Sequence, residues 1–256
     1  CVYGGPSYKM PQPSAPCARG ELRGTNHKLQ FSPQYCFAHC SKFNPFNSLI
    51  KPVRSAEVQL EISARSGQGR AQGQRHHKLM KVLIDTCVLY PTVMRQMLLG
   101  AAGHGLFTPL WSDRILEEWA RAARKIGPTG EAQARSEIAL LKIRWAANSV
   151  IWPPSLATRL WLPDPNDIHV LAAAIAGSAD VIVTLNAADF PRNTLAEEGL
   201  SRSDPDSFLC GYFRNHPTLI TALSDQVLTE AQQLSGKEWT RQTLLKKAGL
   251  SRLAKA

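Results

Sequence analysis

The chain has 256 residues, enough for one sizeable core and a small appendage. Its formal net charge of +10 is unevenly distributed, because residues 1–79 contain 11 Lys and Arg against 3 Asp and Glu and so carry +8. Residues 80–256 contain 19 basic and 17 acidic residues, so the basic pI is poor evidence that the folded part binds nucleic acid. No apolar run approaches the ~18 residues of a membrane span, and no signal-peptide pattern is visible, which predicts a soluble cytoplasmic protein.

Residues 1–79 are rich in Pro, Gly, Ser, Gln and basic residues, which predicts a disordered or non-native N-terminal extension. Cys36, His39 and Cys40 suggest zinc ligands, but their spacing fits no well-defined zinc motif, and scattered thiols are the favoured interpretation. Met80 immediately precedes a well-formed strand pattern. We therefore hypothesise that Met80 is the natural start and that an over-extended reading frame supplies the residues before it.

The first half of the folded part alternates strand and helix patterns. In chain order we expect a buried strand ending near Asp85, a helix over residues 93–102, a strand over 106–111, a helix over 114–126, a helix over 131–147 and a strand over 149–152. Cys87, in an apolar strand context, is expected to be a reduced thiol that packs as a small hydrophobe. On the helix over residues 114–126, a helical wheel places Glu118 at the edge of the apolar stripe and Glu117 on the solvent side beside Arg121.

Residues 162–190 combine an acidic turn, an apolar helix that stops at Gly177, a strand over residues 181–185 and a second acidic turn. This unit is half of a βαβ motif with a parallel sheet. Beyond it we expect a turn over residues 203–206, a helix from near Ser207, and a C-terminal tail of two helical stretches separated around Ser235 and Gly236.

Four carboxylates stand at element ends or helix edges: Asp85, Glu118, Asp167 and Asp189. A parallel sheet would bring them together, and carboxylates without His or Cys partners suit hard cations such as Mg²⁺ or Mn²⁺. Each acid also has a structural interpretation. For Asp164 the favoured one is a helix N-cap before Pro165, whereas Asp167 lies on the apolar face of its helix, where an unpaired carboxylate is costly. Asp85 and Asp189 could also be simple turn residues, and His169 is expected to be a surface residue.

Four segments in this order resemble a PIN-domain ribonuclease over about residues 80–208, most closely the VapC-like toxins of bacterial type II toxin–antitoxin systems. They are Leu83-Ile-Asp85-Thr86, Ser112-Asp-Arg-Ile-Leu-Glu-Glu118, Pro163-Asp-Pro-Asn-Asp167 and Val183-Thr-Leu-Asn186-Ala-Ala-Asp189. The resemblance implies a three-layer α/β/α fold with a central parallel sheet over residues 80–210, followed by a C-terminal helical extension over 211–256. It places the metal and catalytic acids on Asp85, Glu118, Asp167 and Asp189, with supporting polar groups on Thr184, Asn186 and Asp164.

The function implied by this resemblance is an Mg²⁺- or Mn²⁺-dependent endoribonuclease that cuts structured RNA, such as tRNA or rRNA. Its partners would be RNA and a small antitoxin, and a homodimer is compatible with the resemblance. A housekeeping PIN nuclease without an antitoxin and a catalytically silent RNA- or protein-binding scaffold remain alternatives. An aspartyl phosphatase is disfavoured, because Cys87 stands where the second Asp of its strand-end motif would be.

Overall fold

The computed structural model describes residues 79–256. The expectations for the N-terminal extension and its zinc-ligand candidates lie outside these residues. Within them, four parallel strands form one sheet in the order β2-β1-β3-β4. The strands are β1 Lys81–Ile84, β2 Thr108–Leu110, β3 Val181–Val183 and β4 Ser201–Ser203.

Helices flank this sheet and extend beyond it at the C-terminal end of the chain. The α-helices are α1 Thr86–Leu89, α2 Thr92–Gly103, α3 Asp113–Ala122, α4 Gly130–Arg144, α5 Pro154–Ala157, α6 Ile168–Ala176, α7 Arg192–Glu197, α8 Pro205–Asn215, α9 Pro217–Ser235 and α10 Arg241–Lys247. Short 3-10 turns cover Ala123–Ile126, Ala146–Asn148, Pro165–Asp167 and Leu253–Lys255. The predicted α/β/α architecture with C-terminal helices is confirmed. None of the helices in residues 79–256 is long and apolar enough to cross a membrane.

The centre of the sheet is apolar because its two inner strands are covered on both faces. In β1, Val82 pairs with Val181 of β3 and Leu83 with Ile182, and all but Val181 are fully buried. Continuous apolar runs of this kind are typical of parallel strands between two helical layers. Since all strands run the same way, the carboxyl ends of β1 and β3 lie side by side, and the residues that follow them lie close together.

Two strand predictions were wrong, both at the edges of the sheet. Residues 149–152 do not form a strand; Ser149 makes a single parallel bridge to Trp111, and Ile151 is 93% exposed. Pro153 and Pro154 follow at once and lack the N–H groups that would continue the pairing. Conversely, β4 was not predicted. Its sequence Ser-Arg-Ser has no apolar pattern, and it forms a strand only because β3 offers it an edge.

The C-terminal extension packs on the remainder of the described chain. Helix α9 crosses α2 so closely at Gly100 that a Cβ atom there would lie 2.4 Å from Cδ1 of Leu223. Across the same contact, the Gln96 amide donates a buried hydrogen bond of 2.8 Å to Glu230. The buried Asp206 carboxylate of α8 accepts the backbone N–H groups of Arg252 and Leu253 at 2.7 and 2.9 Å. The last residues are therefore attached to α8 by hydrogen bonds from their backbone N–H groups to the Asp206 side chain.

Candidate metal centre

Asp85 follows β1 directly and is only 7% exposed. It serves as the N-cap residue of α1, but its side chain makes no cap hydrogen bond, so the carboxylate points elsewhere. Its Oδ2 accepts the Thr184 hydroxyl at 2.7 Å and the Cys87 thiol at 3.0 Å. Burial raises the pKa of Asp85 and the charge of Glu118 adds to this, while hydrogen bonds from Cys87, Thr184 and the Thr86 N–H act against it.

Three carboxylates converge beside Asp85. Asp164, Asp167 and Asp189 each offer one oxygen, and these oxygens lie within 4.8 Å of one another. Asp164 also caps the short turn before α6, because its Oδ1 accepts the Asn166 N–H at 2.8 Å. The cap interpretation of Asp164 is confirmed, yet the same side chain belongs to the acidic group, because a carboxylate has more acceptor sites than one cap bond uses.

Asn186 connects two of these acids. Its side-chain amide donates to Asp167 at 3.1 Å and also to Asp189, and its backbone N–H donates to the Thr184 hydroxyl at 2.9 Å. Thr184 in turn donates to Asp85. One hydrogen-bonded chain thus runs through the residues after β3 and joins Asp189, Asp167 and Asp85.

The negative charge concentrated at this site affects the pKa of Asp167. Burial, followed by the charges of four neighbouring acids, raises the pKa of Asp167 to about 7. Those neighbours, in order of effect, are Asp85, Asp164, Asp189 and Glu118. A carboxylate whose ionisation is opposed by like charges is stabilised by any cation placed among them.

Glu118 reaches the same region from α3. Its Oε2 accepts the Thr86 hydroxyl at 3.1 Å, and its Oε1 lies 2.9 Å from Nε2 of His169 and 3.3 Å from Nε of Arg114. Burial disfavours the ionised carboxylate, but hydrogen bonds from His169, Thr86 and Arg114 outweigh it, so that the pKa of Glu118 is lowered. Glu118 is therefore an anion held by three donors.

A family comparison matches most of this region. Residues 81–188 match the model of the PIN domain family. The match supports a PIN-domain nuclease, and PIN domains are generally metal-dependent nucleases. It covers β1 to β3 and ends one residue before Asp189. No curated protein and no solved structure matches the chain.

Glu117, the acid adjacent to Glu118 on α3, lies where the helical wheel predicted. Glu117 forms ion pairs with Arg121 at 2.9 Å and with Arg135 of α4 at 2.8 Å, and hydrogen bonds from these arginines lower its pKa to about 2. It points away from the acidic group. The expectation that Glu117 is a surface charge beside Arg121 is confirmed.

Two expectations about this site were wrong. His169 is not a surface residue; it is 2% exposed and contacts Glu118. Residues 169–174 of α6 are all buried, and the otherwise apolar sequence of this stretch was the available signal. Cys87 is a free, buried thiol as expected, but it lies in α1 rather than in a strand. Burial and the adjacent Asp85 raise its pKa, so the thiol remains protonated and donates to the carboxylate.

The residues present at this site fit a hard divalent cation. The ligand atoms gathered around Asp167 are carboxylate oxygens, which Mg²⁺ and Mn²⁺ prefer, and the one nearby imidazole is directed at Glu118. The raised pKa of Asp167 reflects negative charge that such a cation would neutralise. Asp164, Asp167 and Asp189 stand closest together, while Asp85 and Glu118 flank them.

Proposed function

We propose that this protein is a divalent-metal-dependent endoribonuclease that acts as the toxin of a toxin–antitoxin pair. The observation that carries the nuclease proposal is Asp167, which the charges of four other carboxylates surround at the carboxyl ends of β1 and β3. A structural role gives no reason to keep so much like charge in one place. Metal-assisted phosphodiester hydrolysis does give one, since it uses a cation held by carboxylates beside the scissile phosphate.

The metal ligands in this proposal are Asp85, Glu118, Asp167 and Asp189, with Asp164 added because its oxygen lies within 4.8 Å of those of Asp167 and Asp189. When bound there, Mg²⁺ or Mn²⁺ would polarise the phosphate and lower the pKa of a bound water. Thr184 holds Asp85, and Asn186 holds Asp167 and Asp189, so the carboxylates are oriented before substrate binds. Protein-held oxygens of this kind reduce the reorganisation needed in the transition state.

The toxin role rests on the sequence resemblance to VapC-like proteins. It implies a structured RNA such as tRNA or rRNA as substrate, a small antitoxin as partner, and activity in the cytoplasm. A homodimer is compatible with this proposal. The two alternatives, a housekeeping nuclease and a silent binding scaffold, make different predictions for the same experiments.

The test of the nuclease proposal is cleavage of purified tRNA and rRNA by the full chain, with Mg²⁺, with Mn²⁺ and with EDTA. We expect cleavage that requires metal and is abolished in Asp167→Asn, with RNA ends mapped to defined positions. Metal-independent cleavage, or full activity of Asp167→Asn, would contradict the assignment. RNA binding without cleavage in any metal would favour the scaffold.

The test of the toxin role is growth of cells that express the chain with and without a candidate antitoxin encoded by a neighbouring small gene. We expect growth arrest that the small gene relieves, and no arrest with Asp167→Asn. Metal-dependent cleavage in vitro without growth arrest in cells would indicate a housekeeping nuclease.

A further inference from the structure

His169 is a buried polar side chain with a single partner. It is the second residue of α6, between the half-buried Ile168 and the buried Val170, and it is 2% exposed. Its Nε2 lies 2.9 Å from Oε1 of Glu118 on α3, 51 positions earlier in the chain. Its Nδ1 has no hydrogen-bond partner in the described residues. A buried ring nitrogen without a partner costs folding free energy, so an apolar side chain would pack here at lower cost. The contact between His169 and Glu118 therefore needs an explanation beyond packing.

The direction of this hydrogen bond follows from the chemistry of the two groups. At neutral pH a glutamate side chain is a carboxylate, and a carboxylate only accepts hydrogen bonds. Nε2 of His169 therefore carries the hydrogen and donates it. Because helical packing fixes the imidazole ring, the bond fixes the position of Oε1 as well.

The other donors to Glu118 hold it less firmly. Arg114 donates to the same oxygen at 3.3 Å from a side chain that is 52% exposed. The Thr86 hydroxyl donates to Oε2 at 3.1 Å but also contacts the carbonyl of Ile115 at 3.2 Å. His169 is the shortest of these contacts and the most buried of the three donor residues, so it contributes most to the orientation of the carboxylate.

We propose that His169 is a positioning residue that holds the Glu118 carboxylate in the orientation needed for metal binding. This inference rests on the proposed metal-dependent nuclease function. The start of α6 then has two roles, since Asp167 is a member of the acidic group and His169, two residues later, orients an acid from α3. Hydrogen-bond partners of metal ligands typically change metal affinity by about 10- to 100-fold when they are removed.

The experiment compares three replacements of His169 in the full chain. His169→Phe keeps the ring but removes the N–H group; His169→Gln places an amide N–H near the position of Nε2; His169→Asn is equally polar but too short to reach Glu118. The first readout is Mn²⁺ binding without RNA, followed by the electron paramagnetic resonance of free Mn²⁺. The second readout is the Mn²⁺ concentration that gives half-maximal RNA cleavage.

We expect the dissociation constant for Mn²⁺ to rise about 10- to 100-fold in His169→Phe and His169→Asn, and His169→Gln to recover most of the loss. In a Glu118→Gln background, His169→Phe should have no further effect, because the oriented carboxylate is already absent. If the Phe variant does not fold, the comparison of Mn²⁺ affinity between the Gln and Asn variants tests the proposal.

Three results would overturn the proposal while the nuclease assignment stands. The first is equal Mn²⁺ affinity in His169→Gln and His169→Asn, and the second is unchanged Mn²⁺ affinity in a folded His169→Phe variant. The third is that His169→Phe weakens Mn²⁺ binding as much in the Glu118→Gln background as in the unaltered chain. If the unaltered chain neither binds Mn²⁺ nor cleaves RNA, the proposed function fails and this inference fails with it.

Discussion

Thr184 donates its hydroxyl to Oδ2 of Asp85 across 2.7 Å, and both residues immediately follow neighbouring parallel strands. Thr184 is 2% exposed, so no water competes for this contact. The same hydroxyl oxygen accepts the N–H of Asn186. Thr184 thus connects the residues after β3 to Asp85 after β1. Removal of its hydroxyl should therefore affect the positions of both Asp85 and Asn186.

Replacing Thr184 by Val keeps the shape of the side chain and removes the hydrogen bonds. We expect Thr184→Val to lower the free energy of unfolding by about 1–3 kcal/mol, because it leaves buried polar groups unpaired. We also expect it to raise the Mn²⁺ concentration needed for half-maximal cleavage by about 10-fold or more, because Asp85 loses its strongest orienting contact. Chemical denaturation and Mn²⁺ titrations measure the two effects. Thr184→Ser is the matched control and should behave like the unaltered chain; an equal defect in both variants would contradict this role of the hydroxyl.

The pKa of Asp167 gives a prediction about stability and pH. Since this pKa is raised from 3.8 to about 7 on folding, the folded chain binds the proton more tightly than the unfolded chain. The resulting stabilisation is fully present below pH ~4 and is lost as the pH rises through ~7. Asn does not titrate, so Asp167→Asn removes this pH-dependent loss. Between pH 5 and pH 8 the metal-free variant should therefore gain about 1–2 kcal/mol of unfolding free energy relative to the unaltered chain, a figure reduced because the group is partly exposed.

Urea denaturation of the metal-free protein at pH 5 and pH 8 measures this difference. Saturating Mn²⁺ is the control. At pH 8 it should raise the unfolding free energy of the unaltered chain more than that of Asp167→Asn, and so remove the difference between the two. An identical pH profile for the two chains would show that Asp167 is not the titrating group.

The two adjacent acids of α3 should differ in function. Glu118→Gln should weaken metal-dependent cleavage by about 10- to 100-fold, because it changes a carboxylate that faces the acidic group. Glu117→Gln should have little effect on cleavage, because its partners Arg121 and Arg135 are exposed arginines on the other side of the helix. Mn²⁺ titrations of the two variants in parallel provide the measurement. Equal losses, or a loss confined to Glu117→Gln, would contradict the placement of α3.

The C-terminal residues should depend on Asp206 for their attachment. Its buried carboxylate accepts two backbone N–H groups, so Asp206→Ala should cost about 2–3 kcal/mol of unfolding free energy through unpaired donors. Asp225→Ala is the control: Asp225 pairs with Arg241 at 3.2 Å on the surface, and its loss should cost about 0–1 kcal/mol. Thermal unfolding compares the two, and hydrogen exchange at Arg252 and Leu253 should increase only in the first variant. Equal exchange in both would argue against the attachment.

The local pattern of apolar and polar residues was sufficient to predict many of the helices and strands. The apolar run that became β1 placed Asp85 at a strand end, and the wheel for α3 separated Glu118 from Glu117. Helical spacing also placed α2 and α9 within a few residues of their observed ends. These features follow from side-chain periodicity, which is set by the backbone geometry of each element alone.

Other features of the fold and of the site depended on which helices and strands pack against one another. β4 exists because β3 offers an unpaired edge, whereas residues 149–152, with a more apolar sequence, make only one bridge. Asp164 acts as the cap that the sequence indicated, but its place beside Asp167 and Asp189 depends on how the chain turns after β3. The pairing of the buried His169 with Glu118 joins residues 51 positions apart. Such pairings join residues far apart in the chain, so only the packing of α6 against the rest of the fold decides them, and no local period contains that information.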